Sequence, residues 1–212
     1  MSLSIHNLIF NAFQVNSYLV YSKNGDCLIV DPACYSQQEQ QQLTNFISEH
    51  NLTPVRLINT HSHVDHVLGN NFVFKTYGLR PEIHKAGLIF HSSIIEHAAG
   101  FGFIVDTIVE PAEFLEDQQK ITVGGETIEI AYTPGHADGS ICLKYDKGKW
   151  VITGDLIFED SIGRTDLPTG DLNTLLCSIH QKIFVIDDSY TLYPGHGRPT
   201  TVGYEKKNNP FL

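Results

Sequence analysis

The chain has 212 residues, 42% hydrophobic and 18% charged, and a formal net charge of −10. That length suits a single domain over 1–212 with a substantial core, and the composition is ordinary for a soluble globular protein. The acidity argues against nucleic acid or an anionic membrane as partner, but not against an anionic substrate, because bound cations reverse a local field.

The opening MSLSIHNLIF lacks the charged start, long apolar run and cleavage site of a secretory signal. No apolar stretch reaches the ~20 residues of a membrane helix, so the expected location is the cytoplasm. Cys27, Cys34, Cys142 and Cys177 show neither CxxC spacing nor a dense framework, which is the pattern of buried free thiols.

In chain order, residues 5–10, 17–21 and 27–30 are β-prone runs, with a hairpin turn at Lys23-Asn24-Gly25-Asp26. Asp31 follows the third run, as a partner to a functional group or as a turn cap. Ser36 and Glu39 make a capping-box pattern before Leu43, Phe46 and Ile47 at helical spacing. A strand is expected over 55–59, a helix over 66–77 stopped by Gly78, a short strand over 82–84 and a helix over 87–99. His84, His91 and His97 show no ligand spacing and suit surface or capping positions, Phe101 and Phe103 suit the core, and 113–119 suits a polar connector. Strands resume over 121–123, 126–132, 140–145 and 150–153. Asp171 then caps a helix carrying Leu172, Leu175, Leu176, Ile179 and Ile183, and a last strand spans 190–193. Two such halves predict an α+β fold of two sheets packed face to face with helices outside, a four-layered αββα sandwich.

The chemistry concentrates in Thr60 to Gly69, THSHVDHVLG, where His61, His63, Asp65 and His66 fall within six positions after a strand. Alternate residues of an extended chain point the same way, so His61 and His63 share a side, and Asp65 and His66 follow where a helix begins. Imidazoles and a carboxylate are ligands that a zinc-like ion prefers. Three further strand ends place a glycine before a His or Asp: Pro134-Gly135-His136, Gly154-Asp155 and Pro194-Gly195-His196. Glycine there lets the backbone turn sharply near a crowded centre.

The motifs HxHxDH over 61–66, PGH over 134–136, GD over 154–155 and PGHG over 194–197 resemble those of the metallo-β-lactamase-fold superfamily. Within it the chain is most similar to the hydroxyacylglutathione hydrolase (glyoxalase II) group, in a short form without its C-terminal helical domain. Gly163-Arg164-Thr165-Asp166 and the ending Asn209-Pro210-Phe211-Leu212 resemble that group and the persulfide dioxygenases. The resemblance implies one metal held by His61, His63 and His136, a second by Asp65, His66 and His196, and Asp155 bridging both. It implies two divalent ions, zinc first and iron or manganese as alternatives, and hydrolysis of a small-molecule thioester by a metal-bridging hydroxide that Asp65 orients. The thiol would be glutathione-derived or a relative, and Arg164 and Asp166 would brace a loop or meet substrate. Ala137-Asp138-Gly139 departs from the Thr-Pro-Gly of relatives and leaves the pocket beside His136 open to difference. The competing expectations are a mononuclear iron persulfide dioxygenase and a non-catalytic metal-binding module.

Overall fold

The computed structural model of the chain describes residues 2–212. Strands β1 (Ser4–Phe10), β2 (Val15–Tyr21) and β3 (Asp26–Val30) form an antiparallel meander, and α1 (Gln37–Glu49) crosses over to β4 (Thr53–Ile58), parallel to β3. α2 (Val64–Val67) and α3 (Asn70–Tyr77) lead to β5 (Pro81–His84). α4 (Leu88–His91) and α5 (Ile94–Gly100) then lead to β6 (Glu113–Leu115), which like β5 pairs in parallel. The second half opens with an antiparallel run of β7 (Lys120–Val123), β8 (Glu126–Tyr132), β9 (Ile141–Tyr145) and β10 (Trp150–Gly154). A small hairpin follows, β11 (Ile157–Phe158) with β12 (Ser161–Ile162), then α6 (Leu172–Ser178), extended by a π-helical turn at Ile179–Ile183. β13 (Thr191–Pro194) pairs parallel to β10, and β14 (Thr200–Thr201) and α7 (Val202–Asn208) complete the order. The sheets run β1-β2-β3-β4-β5-β6 and β14-β13-β10-β9-β8-β7.

Side-chain alternation explains the layers. On β2, β3 and β4, residues Tyr18, Val20, Leu28, Val30 and Ile58 face Ile128, Ile130, Leu143 and Ile152 of the second sheet. Their alternates Leu19, Cys27, Ile29 and Leu57 face Leu43 and Ile47 of α1 and Val73 of α3. Cys142, Val151 and Leu192 likewise face Leu175, Ile179 and Val202 on the far side. Strands covered on both faces must be apolar at successive positions, as Cys27-Leu28-Ile29-Val30 is. The expected αββα sandwich is the fold. No helix among the described residues is long and apolar enough to cross a membrane.

Five expectations need correction. The helix expected over 66–77 is two pieces, because the Gly69 N–H leaves the helix to donate to Pro32 O at 2.7 Å. A Cβ at Gly69 would lie 2.4 Å from that oxygen, so only glycine permits the approach. The helix expected over 87–99 is also broken, into α4 and α5. Part of the polar connector at 113–119 is β6, an edge strand whose pairing with β5 lies far from it in sequence. Phe101 is not in the core but 61% exposed, and Cys177, unlike the buried thiols of Cys27, Cys34 and Cys142, is exposed.

The capping box forms and does more than cap. Glu39 accepts from Ser36 N and Tyr35 N at 2.8 Å and from Asn11 N at 2.6 Å, tying α1 to the β1–β2 turn. Partial burial works against the charged carboxylate, but the three backbone donors outweigh it and hold the pKa below the usual glutamate value. A lowered folded pKa gives stability that is present above the unfolded pKa and lost as pH falls through the folded one. Glu39→Gln is therefore expected to cost about 1–2 kcal/mol at neutral pH and less in acid, read from denaturant melts across pH. An equal loss at every pH would contradict the ionic account.

Candidate metal centre

The centre lies where strand ends of both sheets meet. His61 is the third residue after β4, His63 caps α2, and Asp65 and His66 lie within α2. His136 follows β8, Asp155 directly follows β10, and His196 follows β13. All seven side chains expected as ligands converge, in the groups His61–His63–His136, His61–His66–Asp155 and Asp65–His66–His196, with donor atoms within 4.8 Å in each.

The contacts are close. His136 Nε2 stands 2.9 Å from His63 Nδ1, and His66 Nε2 stands 3.3 Å from His196 Nε2. Asp65 Oδ2 lies 3.5 Å from His196 Nε2 and 3.7 Å from His66 Nε2. Asp155 reaches both groups, Oδ1 toward His66 at 3.4 Å and Oδ2 toward His136 at 3.6 Å and His196 at 3.5 Å. Donors bound ~2.0–2.1 Å from a tetrahedral ion stand roughly 3.3 Å apart, so these separations fit shared cations. Two atoms make the same point. His61 Nε2 and Asp155 Oδ1 are buried with no hydrogen-bond partner, a costly arrangement unless something else satisfies them.

The outer ring atoms fix which lone pairs face inward. His136 Nδ1–H donates to Arg164 O at 2.8 Å, and His196 Nδ1–H donates to Phe13 O at 2.9 Å. A carbonyl can only accept, so both rings keep Nε2 free for the centre. His66 Nδ1 meets Asp31 Oδ2 at 3.0 Å. Asp31 also accepts from Thr60 N at 2.7 Å and Thr60 Oγ1 at 2.6 Å. With its single proton used on Asp31, Thr60 Oγ1 accepts from His61 Nδ1 at 3.1 Å, leaving His61 Nε2 inward. Asp31, left open between two roles by the sequence, thus orients two imidazoles.

Charge divides the cluster. Burial, then the neighbouring His66 and His63, hold His61 well below the usual histidine value; burial and His136 bring His63 down to about 4. Burial disfavours a proton on His66 too, but Asp155 and Asp65 outweigh it and raise its pKa. His196 is raised in the same way, through Asp65 and Asp155. Burial would raise Asp155, yet the charge of His66 holds it well below the carboxylate range.

Arg164 and Asp166 sit outside the centre. They pair with each other through two bonds of 2.7 Å and are exposed, and what Arg164 gives the centre is its backbone carbonyl. The departing turn Ala137-Asp138-Gly139 is held by Asp138 N donating to Thr169 Oγ1 at 2.9 Å. His84 accepts from Ala86 N as the cap of a short turn, and His91 is buried with Nε2 3.8 Å from Glu110. Sequence reasoning missed Thr60 and Phe13, whose link to the centre is a hydroxyl and a carbonyl with no motif of their own.

The model of the family described as "Metallo-beta-lactamase superfamily" matches residues 10–196. The chain belongs to the metallo-beta-lactamase superfamily. That places it among metallo-hydrolases with a metal-binding His/Asp cluster. It is 33% identical to the hydroxyacylglutathione hydrolase GloC of Haemophilus influenzae, over 99% of this chain and 98% of that protein. Among solved structures it resembles the BLEG-1 B3 metallo-beta-lactamase, with a TM-score of 0.86, 29% identity and 99% of both chains covered. It also resembles TTHA1623 in a di-iron-bound form, with a TM-score of 0.87, 28% identity, and 98% of this chain and 100% of that one covered.

Two outcomes follow from this geometry. A Cβ at Gly195 would lie 2.1 Å from Asp155 Oδ1 and 2.8 Å from His66 Cε1. Gly195→Ala is expected to lower metal affinity at least ~10-fold, measured by competition with a chromogenic chelator, through displaced ligands. Protons on His66 and His196 must leave before a cation can bind. Apparent affinity should rise by about 1–2 log units per pH unit while those rings are protonated, then level off above their raised pKa values. Affinity flat across that window would contradict the assignment of proton and metal to the same nitrogens.

Proposed function

We propose that the chain is a dinuclear metallo-hydrolase that cleaves thioesters of the hydroxyacylglutathione hydrolase type. The supporting observation is Asp155, whose carboxylate reaches His136 of one ligand group and His66 and His196 of the other, so that one carboxylate can serve two ions. The first ion would be held by His61, His63 and His136 and the second by Asp65, His66 and His196. Zinc is the first choice for this donor set, with iron and manganese also suited.

Divalent ions held there would bring the pKa of a coordinated water toward neutrality and draw charge from a carbonyl oxygen. The chain's own residues supply position and charge. Asp65 remains ionised, because His66 and His196 outweigh the effect of its burial, so it accepts a hydrogen bond from the attacking water and orients it. Asp31 and the carbonyls of Arg164 and Phe13 lock the imidazoles, so the donors need no reorganisation during the reaction. A thiolate departs readily, so no separate general acid is required.

The reading is tested by reconstituting metal-free protein and titrating metal against thioester cleavage. Two ions per chain, activity abolished by chelation, and at least a ~100-fold loss in Asp155→Ala are expected. Saturation at a single ion, with oxygen uptake on a glutathione persulfide, would instead establish the dioxygenase. Arg164, whose carbonyl bonds His136, and Arg198, two residues after His196, are each engaged by a carboxylate, Asp166 and Glu159. S-lactoylglutathione is therefore expected to exceed a lactoyl thioester of a smaller thiol by less than ~100-fold in kcat/KM, about 2.7 kcal/mol.

A further inference from the structure

The β1–β2 turn is fastened to the metal centre at two points. Asn11 Nδ2 donates to Asp65 O at 2.9 Å, and Phe13 O accepts from His196. Asn11 and Gln14, on either side of Phe13, both adopt left-handed backbone, at φ 54° and 56°. That conformation is unfavourable for most residues and is tolerated where surrounding bonds enforce it. Its result is to hold Phe13 with its carbonyl on His196 and its ring 39% exposed.

A second segment meets it there. The Phe101 ring contacts Phe13 edge-on at 5.3 Å between centroids, and Phe103 lies 6.0 Å from Phe13 and 4.8 Å from Tyr35. Phe101 is 61% exposed and Ile104 76%, an apolar surface that no element among the described residues covers. The loop is not loose against the centre. Tyr35 Oη accepts from Ile104 N at 3.0 Å, and Tyr35 N and Asn11 N both donate to Glu39. One continuous chain of bonds thus runs from the aromatic loop through Tyr35, Glu39 and Asn11 to Asp65. Exposed apolar surface fixed at the rim of a reactive centre has the character of a binding surface.

We propose that Phe13, Phe101 and Phe103 form an apolar wall at the His196 edge of the centre that takes an alkyl or aryl chain of the substrate, so that the preferred substrate carries an apolar group and not a charged tripeptide. The inference depends on the hydrolase reading only for the identity of the bond cut. Ring faces bind apolar chains by burial and dispersion and offer nothing to a carboxylate. The guanidinium groups of Arg164 and Arg198, whose backbones flank the centre in sequence or by a carbonyl, are already paired, which leaves the two carboxylates of glutathione without an evident claim on them.

The test uses the metal-loaded full chain and two readouts. In the first, n-butyl-, n-hexyl- and n-octylacetamide, whose unstrained amide bond is far less reactive than a thioester, are titrated by calorimetry. Affinity is expected to rise about two- to threefold per added CH2. Phe101→Ala, at an exposed position that does not threaten folding, is expected to reduce that slope by half or more, and Phe13→Ala likewise. In the second, kcat/KM is compared for acetyl thioesters of n-butanethiol, n-octanethiol and glutathione, with the octyl compound expected to lead glutathione by at least ~10-fold. A flat affinity series, a slope unchanged in Phe101→Ala, or a glutathione thioester preferred over the octyl one would overturn the proposal. So would a concentration-dependent dimer in sedimentation that Phe101→Ala dissociates, which would give the patch to a second copy of the chain. A steep, Phe101-dependent affinity series with no thioester cleaved would support the wall and refute the hydrolase reading alone.

Discussion

Imidazole nitrogens and carboxylate oxygens face one another across 2.9 to 3.7 Å at the junction of the two sheets, and most of them are buried. Lone pairs pointed at lone pairs in a desolvated site repel, and the structure can hold them only if positive charge lies among them. Without a metal, Asp65 and Asp155 favour that charge as protons on His66 and His196, raising both pKa values. A cation held there would take the protons' place. The arrangement of strand ends, glycines and outer hydrogen bonds follows from the need to hold these donors in a geometry they would not adopt alone.

The two-sheet sandwich meets that need by bringing distant sequence to one edge. The first sheet supplies its cluster in one short segment after β4. The second supplies its ligands singly, after β8, β10 and β13. Tyr18 Oη donates to Pro194 O at 2.7 Å, and Asn16 Nδ2 donates to Pro194 O and Gly197 O at 2.9 Å, so β2 of the first sheet holds the segment carrying His196. Asp31, at the end of β3, holds Thr60 and His66. Buried polar groups in such a network are fully committed, so a small displacement at one strand end is felt at the metal.

Glu39 shows how a local device acquires a wider role. As a capping residue it stabilises one helix start. Because Asn11 N and Tyr35 N also donate to it, the same carboxylate fixes the β1–β2 turn and the aromatic loop relative to Asp65. The aromatic loop and the metal centre are thus registered through one residue that lies in neither.

By itself the sequence determined the sandwich and the candidate ligand set. Period-two apolar runs, glycine-bounded turns and the Ser36–Glu39 box are local signals, and ligand residues clustered in one motif or set behind a glycine are visible without coordinates. Only the tertiary structure decided the break at Gly69, because the Pro32 carbonyl that claims its N–H comes from another part of the chain. The same holds for β6, a polar segment made a strand by an open edge of β5, and for Phe101, whose exposure depends on where its loop is tied. Asp31 was legible as one of two alternatives, but Thr60 and the carbonyls of Phe13 and Arg164 were illegible as partners of the ligands for one physical reason. A hydrogen bond between residues far apart in sequence depends on position and direction in space, and neither is encoded in the identity of either residue.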